Sequence, residues 1–194
     1  MLDSDAISES ISKPFRFGLL FERHFDAVHS YARRRVGEST ADEIASQTFL
    51  VAFDRRVSYD PSRANAKPWL LGIATNLIHG QRRQEERQLR AYARAGVDAD
   101  LDPLEGIEAR IDAGRLRRQL AAVLEALPKE ELDPLVLFAW AELSYEEIAE
   151  ALELPSGTVK SRLSRTRERI REQLRLERTT TQQNPIASLE VDGG

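Results

Sequence analysis

Cysteine is absent from the 194-residue sequence, and only three histidines occur in it. The absence of cysteine excludes disulfide scaffolds and thiolate metal sites. His24, His29 and His79 lack the spacing of metal ligands on one helix face, so we expect no metal and no cofactor. The sequence also lacks a Gly-rich phosphate loop and an ordered Ser, His and Asp set, which argues against an enzyme.

Long apolar segments are missing as well. No run of about 18 apolar residues occurs, which predicts that no segment spans a membrane. The first ten residues carry acids at Asp3, Asp5 and Glu9 and have no apolar core, unlike a signal peptide. We therefore expect a cytoplasmic protein.

The residues that are abundant favour helices. Apolar residues make up 41% of the chain and charged residues 31%, with Ala, Leu, Arg and Glu prominent. These residue types have high helix propensity, and a chain of this length forms one average domain or two small ones. We predict an all-α fold of two small helical domains joined by a flexible linker.

The formal net charge of −4 conceals two basic segments. Residues 67–94 hold six basic side chains against two acids, and residues 156–175 hold seven against two. By contrast, residues 98–112 carry six acids and one Arg, and residues 125–153 carry nine acids and one Lys. Two separate basic helices predict two anion-binding surfaces.

Breaks in the hydrophobic periodicity divide the chain. Gly, Pro and alternating Asp interrupt any period after residue 95, and the C-terminal end is polar. The predicted organisation is a flexible N-terminus at 1–14, a first domain at 15–94, a linker at 95–112, a second domain at 113–177 and a disordered tail at 178–194.

Apolar residues at helical spacing predict the individual helices. Ser39 or Thr40 is expected to cap the second one, and Pro134 is expected in the first turn of its helix. The expected helical ranges are 15–36, 41–54, a segment from Lys67 past residue 78, 116–127, 132–139, 145–152 and 156–175.

The last two of these helices form a helix-turn-helix pattern. Ser144 and Glu147 have the spacing of a capping box, and Leu154-Pro155 turns the chain. A buried stripe is expected in the second helix at positions 159, 163, 166, 170 and 174. Ser161, Ser164 and Arg165 then point away from it, as major-groove binding requires. The alternative is a solvated amphipathic helix whose arginines have no partner.

Three segments resemble the sigma-70 family, in the arrangement of its extracytoplasmic-function (ECF) group. Residues 143–169, LSYEEIAEALELPSGTVKSRLSRTRER, resemble region 4, and the resemblance implies binding to the promoter −35 element. Residues 41–49, ADEIASQTF, resemble region 2.2, which docks on core RNA polymerase. Residues 67–77, KPWLLGIATNL, resemble regions 2.3 and 2.4, which melt and bind the −10 element.

The resemblance implies promoter DNA and core polymerase as partners, with an anti-sigma factor as a further candidate. On the polymerase, the partners would be the clamp helices of the largest subunit and the flap of the second-largest. The implied polymerase-binding residues are Asp42, Glu43, Gln47 and Phe49. The implied −10 residues are Tyr59, Arg63, Trp69, Asn76, Arg82 and Arg83. The implied −35 residues are Ser156, Thr158, Lys160, Ser161, Arg162, Ser164, Arg165 and Arg167.

Chemistry supports several of these assignments. Unstacked bases bind to aromatic platforms beside cations, which suits the −10 set, although Trp69 fits a core position equally well. Arg165 is expected to read a base, while Lys160 and Arg167 are expected to contact phosphates. Phe49 is expected to be an exposed anchor for polymerase, with a core position as the alternative. Gln47 stands where family members usually have an acid.

The main competing hypothesis is a helix-turn-helix regulator with a helical N-terminal sensory domain. It requires a ligand pocket or a phosphoacceptor aspartate after a strand, and the N-terminal half has neither pattern. An anti-sigma or adaptor protein would not need two basic surfaces. The sequence therefore favours a sigma factor, which directs polymerase to promoters and assists DNA melting.

Overall fold

A computed structural model of the chain describes residues 1–95 and 114–182, and the side chains of 1–87 and 120–175. Every regular element in these ranges is helical, which confirms the predicted all-α class. The α-helices are α1 (Asp3–Ser12), α2 (Gly18–Val36), α3 (Glu38–Arg55), α4 (Lys67–Ala95), α5 (Gly114–Glu125), α6 (Lys129–Ala141), α7 (Tyr145–Leu152) and α8 (Ser156–Gln182). Short 3-10 helices cover Pro14–Phe17 and Arg56–Ser58.

Helices α1 to α4 form the first unit, in which α2, α3 and α4 pack against one another. On its inner face, α3 buries Ile44, Ala45, Thr48 and Ala52. This face follows the helical period, so each turn contributes an apolar or small residue to the core.

The connection between α2 and α3 is tighter than expected. Gly37 has φ 81°, a conformation that glycine adopts without the strain of a Cβ atom. The chain therefore reverses at this single residue, and α3 begins at Glu38. The prediction that Ser39 or Thr40 caps α3 is wrong, because both lie inside the helix.

The N-terminus also differs from the prediction. Residues 1–14 were expected to be flexible, but Asp3–Ser12 form α1, which packs on the first unit. Ala6, Ile7 and Ser10 are buried on one side of it. A stripe of three small or medium residues in one short helix is too weak a periodic signal to predict packing.

Helices α5 to α8 form the second unit, and two of their bounds correct the sequence prediction. Helix α6 begins at Lys129, with acids in its first turn that favour the helix N-terminus, so Pro134 lies in the second turn. Helix α8 continues to Gln182, beyond the predicted end at residue 175 and into the predicted tail. After Gly157 in its first turn, the sequence contains no Gly or Pro before Pro185. The rest of that tail and nearly all of the linker, 95–112, lie outside the described residues, and the domain boundaries stay predictions.

The two units pack against each other through α4 and α7. The two helices approach closely at Gly72, where an added Cβ atom would clash with the Ala151 carbonyl oxygen. A buried ion pair also joins the units, with Arg35 Nη2 2.9 Å from Asp133 Oδ1. The −10 and −35 candidates are therefore held in one closed arrangement.

Candidate nucleic-acid interface

The helix-turn-helix has the geometry that its sequence predicts. The Glu147 amide donates to Ser144 Oγ at 3.2 Å, and the Ser144 amide donates to Glu147 Oε2 at 2.8 Å. Glu153 ends α7 in the left-handed conformation with φ 53°. The capping box is thus confirmed, and it satisfies two backbone donors at the start of α7.

Helix α8 buries the predicted stripe. Val159, Leu163 and Thr166 are fully buried, while the stripe positions 170 and 174 are partly buried. The Thr166 hydroxyl donates to the Arg162 carbonyl oxygen at 2.8 Å, so this polar member of the stripe is satisfied within the helix. The stripe fixes which side of α8 faces solvent.

The opposite side of α8 is open. Ser161, Ser164 and Arg165 are all exposed, as predicted, and Arg165 Nε donates to the Ser161 carbonyl oxygen at 3.4 Å. Lys160 and Ser156 are also exposed, and Thr158 is partly buried. A short polar face at the N-terminal half of a capped helix can enter a major groove.

Two arginines of the −35 set instead make contacts inside the protein. Arg162 Nη1 donates to the Glu130 carbonyl oxygen at 3.4 Å. That carbonyl is the one that Pro134 leaves without its helical donor, since proline has no N–H. The Arg167 guanidinium lies 4.9 Å from the Phe138 ring centroid, a cation–π arrangement. Both side chains therefore stabilise the packing of α6 against α8.

The loop before α4 assembles the aromatic −10 candidates. The Tyr59 hydroxyl donates to the Arg63 carbonyl oxygen at 2.8 Å, and its ring centroid lies 4.9 Å from that of Trp69. Burial raises the pKa of Tyr59, and the nearby Glu150 and Asp3 charges add to this rise. Tyr59 is buried, whereas Trp69 is only partly buried and packs against the core.

The remaining −10 candidates lie along α4. Asn76 and Arg83 are exposed. Arg82 Nη2 donates to the Arg35 carbonyl oxygen at 2.9 Å, which ties α4 to the end of α2. The candidates thus occupy one helix and the loop that precedes it.

The second unit contacts Arg63 of the −10 set and two residues next to that set. Arg63 Nη1 lies 3.1 Å from Glu150 Oε1 of α7. Lys67 Nζ donates to the Ala141 carbonyl oxygen at 2.7 Å, and Asn65 donates to Glu147 at 3.3 Å. These contacts leave no local pattern in the sequence, because each joins residues more than 70 positions apart.

The buried link between the units centres on Asp133. Its Oδ2 atom lies 3.0 Å from His79 Nε2, in addition to the Arg35 contact. Burial opposes ionisation of this carboxyl, but hydrogen bonds and charge from His79 and Arg35 outweigh it and lower the Asp133 pKa. His79 therefore has a defined contact role that its sequence position did not reveal.

The polymerase-binding candidates on α3 are mostly exposed. Asp42 is open to solvent with His29 Nε2 at 3.0 Å, and Gln47 donates to Glu43 at 2.9 Å. Phe49 is only 6% exposed, so the prediction of an exposed Phe49 anchor is wrong.

The aromatic packing explains this burial. The Phe49 ring packs 4.9 Å from Phe21 and 6.3 Å from Phe25. Leu50, which was not predicted from the sequence, is 66% exposed and offers α3 an apolar side chain for contact with a partner.

A two-unit helical protein with a basic, capped helix-turn-helix belongs to the class of DNA-binding proteins. Residues 20–88 match the family Sigma-70 region 2, and residues 117–170 match Sigma-70, region 4. The chain therefore belongs to the sigma-70 family, in its ECF group, as the sequence resemblance predicted.

Similar proteins carry the same assignment. The ECF RNA polymerase sigma factor SigE of Mycolicibacterium smegmatis is 32% identical over 93% of this chain and 69% of its own length. SigW of Bacillus subtilis is 30% identical over 82% of this chain and 89% of its own.

Solved structures share the fold. CnrH, in complex with the cytosolic domain of CnrY, aligns with a TM-score of 0.63 at 23% identity, over 90% of this chain and 97% of its own. RpoE of Bartonella quintana, in complex with the anti-sigma factor NepR, aligns with a TM-score of 0.60 at 23% identity. The alignment covers 83% of this chain and 98% of RpoE.

Proposed function

We propose that this chain directs core RNA polymerase to promoters, with a separate surface for each of three tasks. The exposed face of α8 reads the −35 element as duplex. The loop before α4 and the exposed side of α4 hold the melted −10 element. Helix α3 contacts the polymerase. The observation that carries the proposal is the polar, basic face of α8 directly opposite its buried stripe.

At the −35 element, Arg165 is the candidate for base reading. It is exposed on the same side of α8 as Ser161 and Ser164, and an Arg in this position commonly makes a bidentate pair with guanine. Lys160 is exposed at the flank and suits a phosphate contact. The contacts of Arg162 and Arg167 within the protein support a positioning role for these two arginines.

At the −10 element, the buried Tyr59 supports Trp69, whose partly exposed ring is the candidate stacking surface for an unpaired base. Asn76 and Arg83 are exposed on the same helix. Unstacking a base costs a few kcal/mol, so a shaped pocket that compensates for this cost assists melting.

For the polymerase, the exposed ridge of α3 is the candidate surface. Glu43, Gln47 and Leu50 are spaced four and three residues apart, so they line one side of the helix beside Asp42. An apolar residue among carboxylates suits a basic, helical partner surface, and the clamp helices of the largest subunit are the proposed site. We place the second unit on the flap of the second-largest subunit.

An anti-sigma factor is a proposed further partner. The related fold of RpoE was solved with an anti-sigma factor, and CnrH was solved with the cytosolic domain of CnrY. The contact between α4 and α7 supports this proposal. In this arrangement α7 contacts Arg63 of the −10 set, and a protein that binds both units at once would keep them in it.

A base-substitution scan tests the −35 assignment. Holoenzyme containing Arg165→Ala is expected to lose preference at one −35 position, worth about 1–3 kcal/mol. Lys160→Ala is the matched control on the same helix. It should weaken binding to all promoter sequences alike and lower the slope of log affinity against log salt concentration by about one unit. A uniform loss with Arg165→Ala would contradict base reading by this side chain.

Runoff transcription separates this function from the competing regulator. A sigma factor should direct initiation only together with core polymerase, and it should be retained by core polymerase in a pulldown. A helix-turn-helix regulator binds its operator unaided and shows neither property. The match of residues 20–88 to region 2 favours the first outcome.

A further inference from the structure

Helix α1 packs directly against the loop that precedes α4. Its residues lie outside the region 2 match, which begins at residue 20. Ala6 and Ile7 are fully buried, and α1 contacts the Arg56–Ser58 helix as well as α2. The helix is thus an integral part of the first unit.

Asp3, the first residue of α1, is bonded to both ends of a short stretch of this loop. Its Oδ2 atom accepts from the Ala66 amide at 3.0 Å, and its own amide donates to the Ala64 carbonyl oxygen at 3.3 Å. The side chain is only 9% exposed. Together, the two hydrogen bonds fix both ends of the 64–66 backbone immediately before α4.

The same carboxylate is fixed from the other side by α2. Arg23 Nη1 donates to Oδ1 at 2.8 Å, and His24 Nε2 lies 2.6 Å from Oδ2. Burial disfavours the ionised form, but the Ala66, Arg23 and His24 hydrogen bonds outweigh it and lower the Asp3 pKa. Asp3 is therefore a charged bridge between α2 and the loop.

The rest of the loop is held by its own bonds. Tyr59 bonds to the Arg63 carbonyl oxygen, and the Arg63 amide donates to the Asp60 carbonyl oxygen at 3.1 Å. These bonds make residues 59–63 one small unit, which packs on α4 through the Tyr59 ring against Trp69. Asp3 adds a hydrogen-bonded attachment at the 64–66 end of the loop.

We infer that Asp3 is a positioning residue for −10 recognition, which it performs by holding the 64–66 end of the 59–66 loop against α1 and α2. This inference rests on the proposed −10 role of the loop. A recognition pocket needs its groups held to within about 0.5 Å, and a loop gains that precision from fixed neighbours. Asp3 would thus contribute to −10 specificity without touching DNA.

The test uses holoenzyme made with the full-length chain and a promoter library. One half of the library varies the −10 bases with a fixed −35 element, and the other half does the reverse. Asp3→Asn keeps the size of the side chain but removes its charge. Asp5→Asn is the matched control, because Asp5 is an exposed acid of the same helix that accepts only from the nearby Leu2 amide at 2.8 Å.

Asp3→Asn is expected to lower discrimination among −10 bases by about tenfold, within the range of one lost base contact. Discrimination at −35 and affinity for core polymerase should change less than about twofold, and Asp5→Asn should resemble wild type. Hydrogen exchange should also accelerate at the Ala66 amide in Asp3→Asn alone. Arg23→Gln, a milder change at a half-exposed position, should shift the −10 profile in the same direction.

Three results would overturn the inference. An unchanged −10 profile in Asp3→Asn would refute it directly. Parallel losses at −10, −35 and core binding would show that Asp3 only stabilises the fold, and Arg23→Gln would then show the same parallel losses. A wild-type holoenzyme without any −10 preference would instead refute the proposed function of the loop.

Discussion

Replacing Gly72 with alanine tests the contact between the two units. Gly72 lies in the second turn of α4, where an added Cβ atom would clash with the Ala151 carbonyl oxygen and would lie 3.1 Å from its carbonyl carbon. Both atoms are backbone, so no flexible side chain can move aside. The helices α4 and α7 must separate to accommodate the methyl group.

The magnitude follows from a comparison with Gly80, which lies in the same helix. A Cβ atom at Gly80 would meet nothing within 4 Å. Gly80→Ala should therefore stabilise the protein by about 0.5–1 kcal/mol through helix propensity. Gly72→Ala gains the same propensity term but incurs an overpacking cost of about 1–3 kcal/mol. The difference between the two variants is then about 1–3 kcal/mol.

Two measurements detect this effect. Urea unfolding gives the free-energy difference between the variants. Because the chain contains no cysteine, Glu22 and Glu168, both exposed, can be replaced by cysteines for a dye pair across the two units. Gly72→Ala should lower energy transfer between the dyes, and Gly80→Ala should leave it unchanged.

Equal stability and equal energy transfer in the two variants would refute the reasoning. It would mean that α4 and α7 do not touch at Gly72 in solution. Lower stability of Gly72→Ala without a change in energy transfer would show that the strain is absorbed within α7 instead.

Four further predictions concern other contacts. Asp133→Leu should cost about 3–5 kcal/mol in urea unfolding by leaving Arg35 buried without its partner, whereas the matched Asp54→Leu at an exposed acid should cost little. Because the pKa of Asp133 is lowered in the folded state, its contribution to stability is complete above the ordinary pKa of about 4 and is lost as pH falls through the lower folded-state pKa. Asp133→Asn should therefore lose less stability than the wild type on acidification. Ser144→Ala should cost about 1 kcal/mol of thermal stability by removing the α7 cap. Changing Asp42 and Glu43 to Lys should weaken core binding in a pulldown but leave −35 DNA binding by the free chain intact.

The sequence was informative wherever a single helix determines the outcome. The buried stripe of α8, the Ser144–Glu147 capping box and the inner face of α3 all follow from local periodicity and capping rules. The exposure of Arg165 can be predicted in the same way, because the buried stripe of α8 determines which side of the helix faces solvent. These features depend on residues within one or two turns of each other.

Features that depend on tertiary contacts could not be predicted in this way. Phe49 fits either a surface or a core position by sequence, and only the rings of Phe21 and Phe25 settle it as core. The role of Asp3 depends on a loop more than 60 residues away. The Asp133 link joins α6 to α2 across 98 residues. A lone acid gives no local pattern from which such a partner could be identified.

The closed arrangement has a consequence for the proposed function. Elements centred at −10 and −35 are about 25 base pairs apart, which is about 85 Å along B-form DNA at about 3.4 Å per base pair. In the structure, α4 and α7 touch at Gly72 and Ala151, and Glu150 engages Arg63 of the −10 set. Under the proposed assignment of −10 to α4 and −35 to α8, the closed molecule does not span this distance. We therefore expect the α4–α7 contact to open before the promoter is bound. Any variant that weakens this contact without damaging either unit, as Gly72→Ala is designed to do, should favour the open, promoter-binding state.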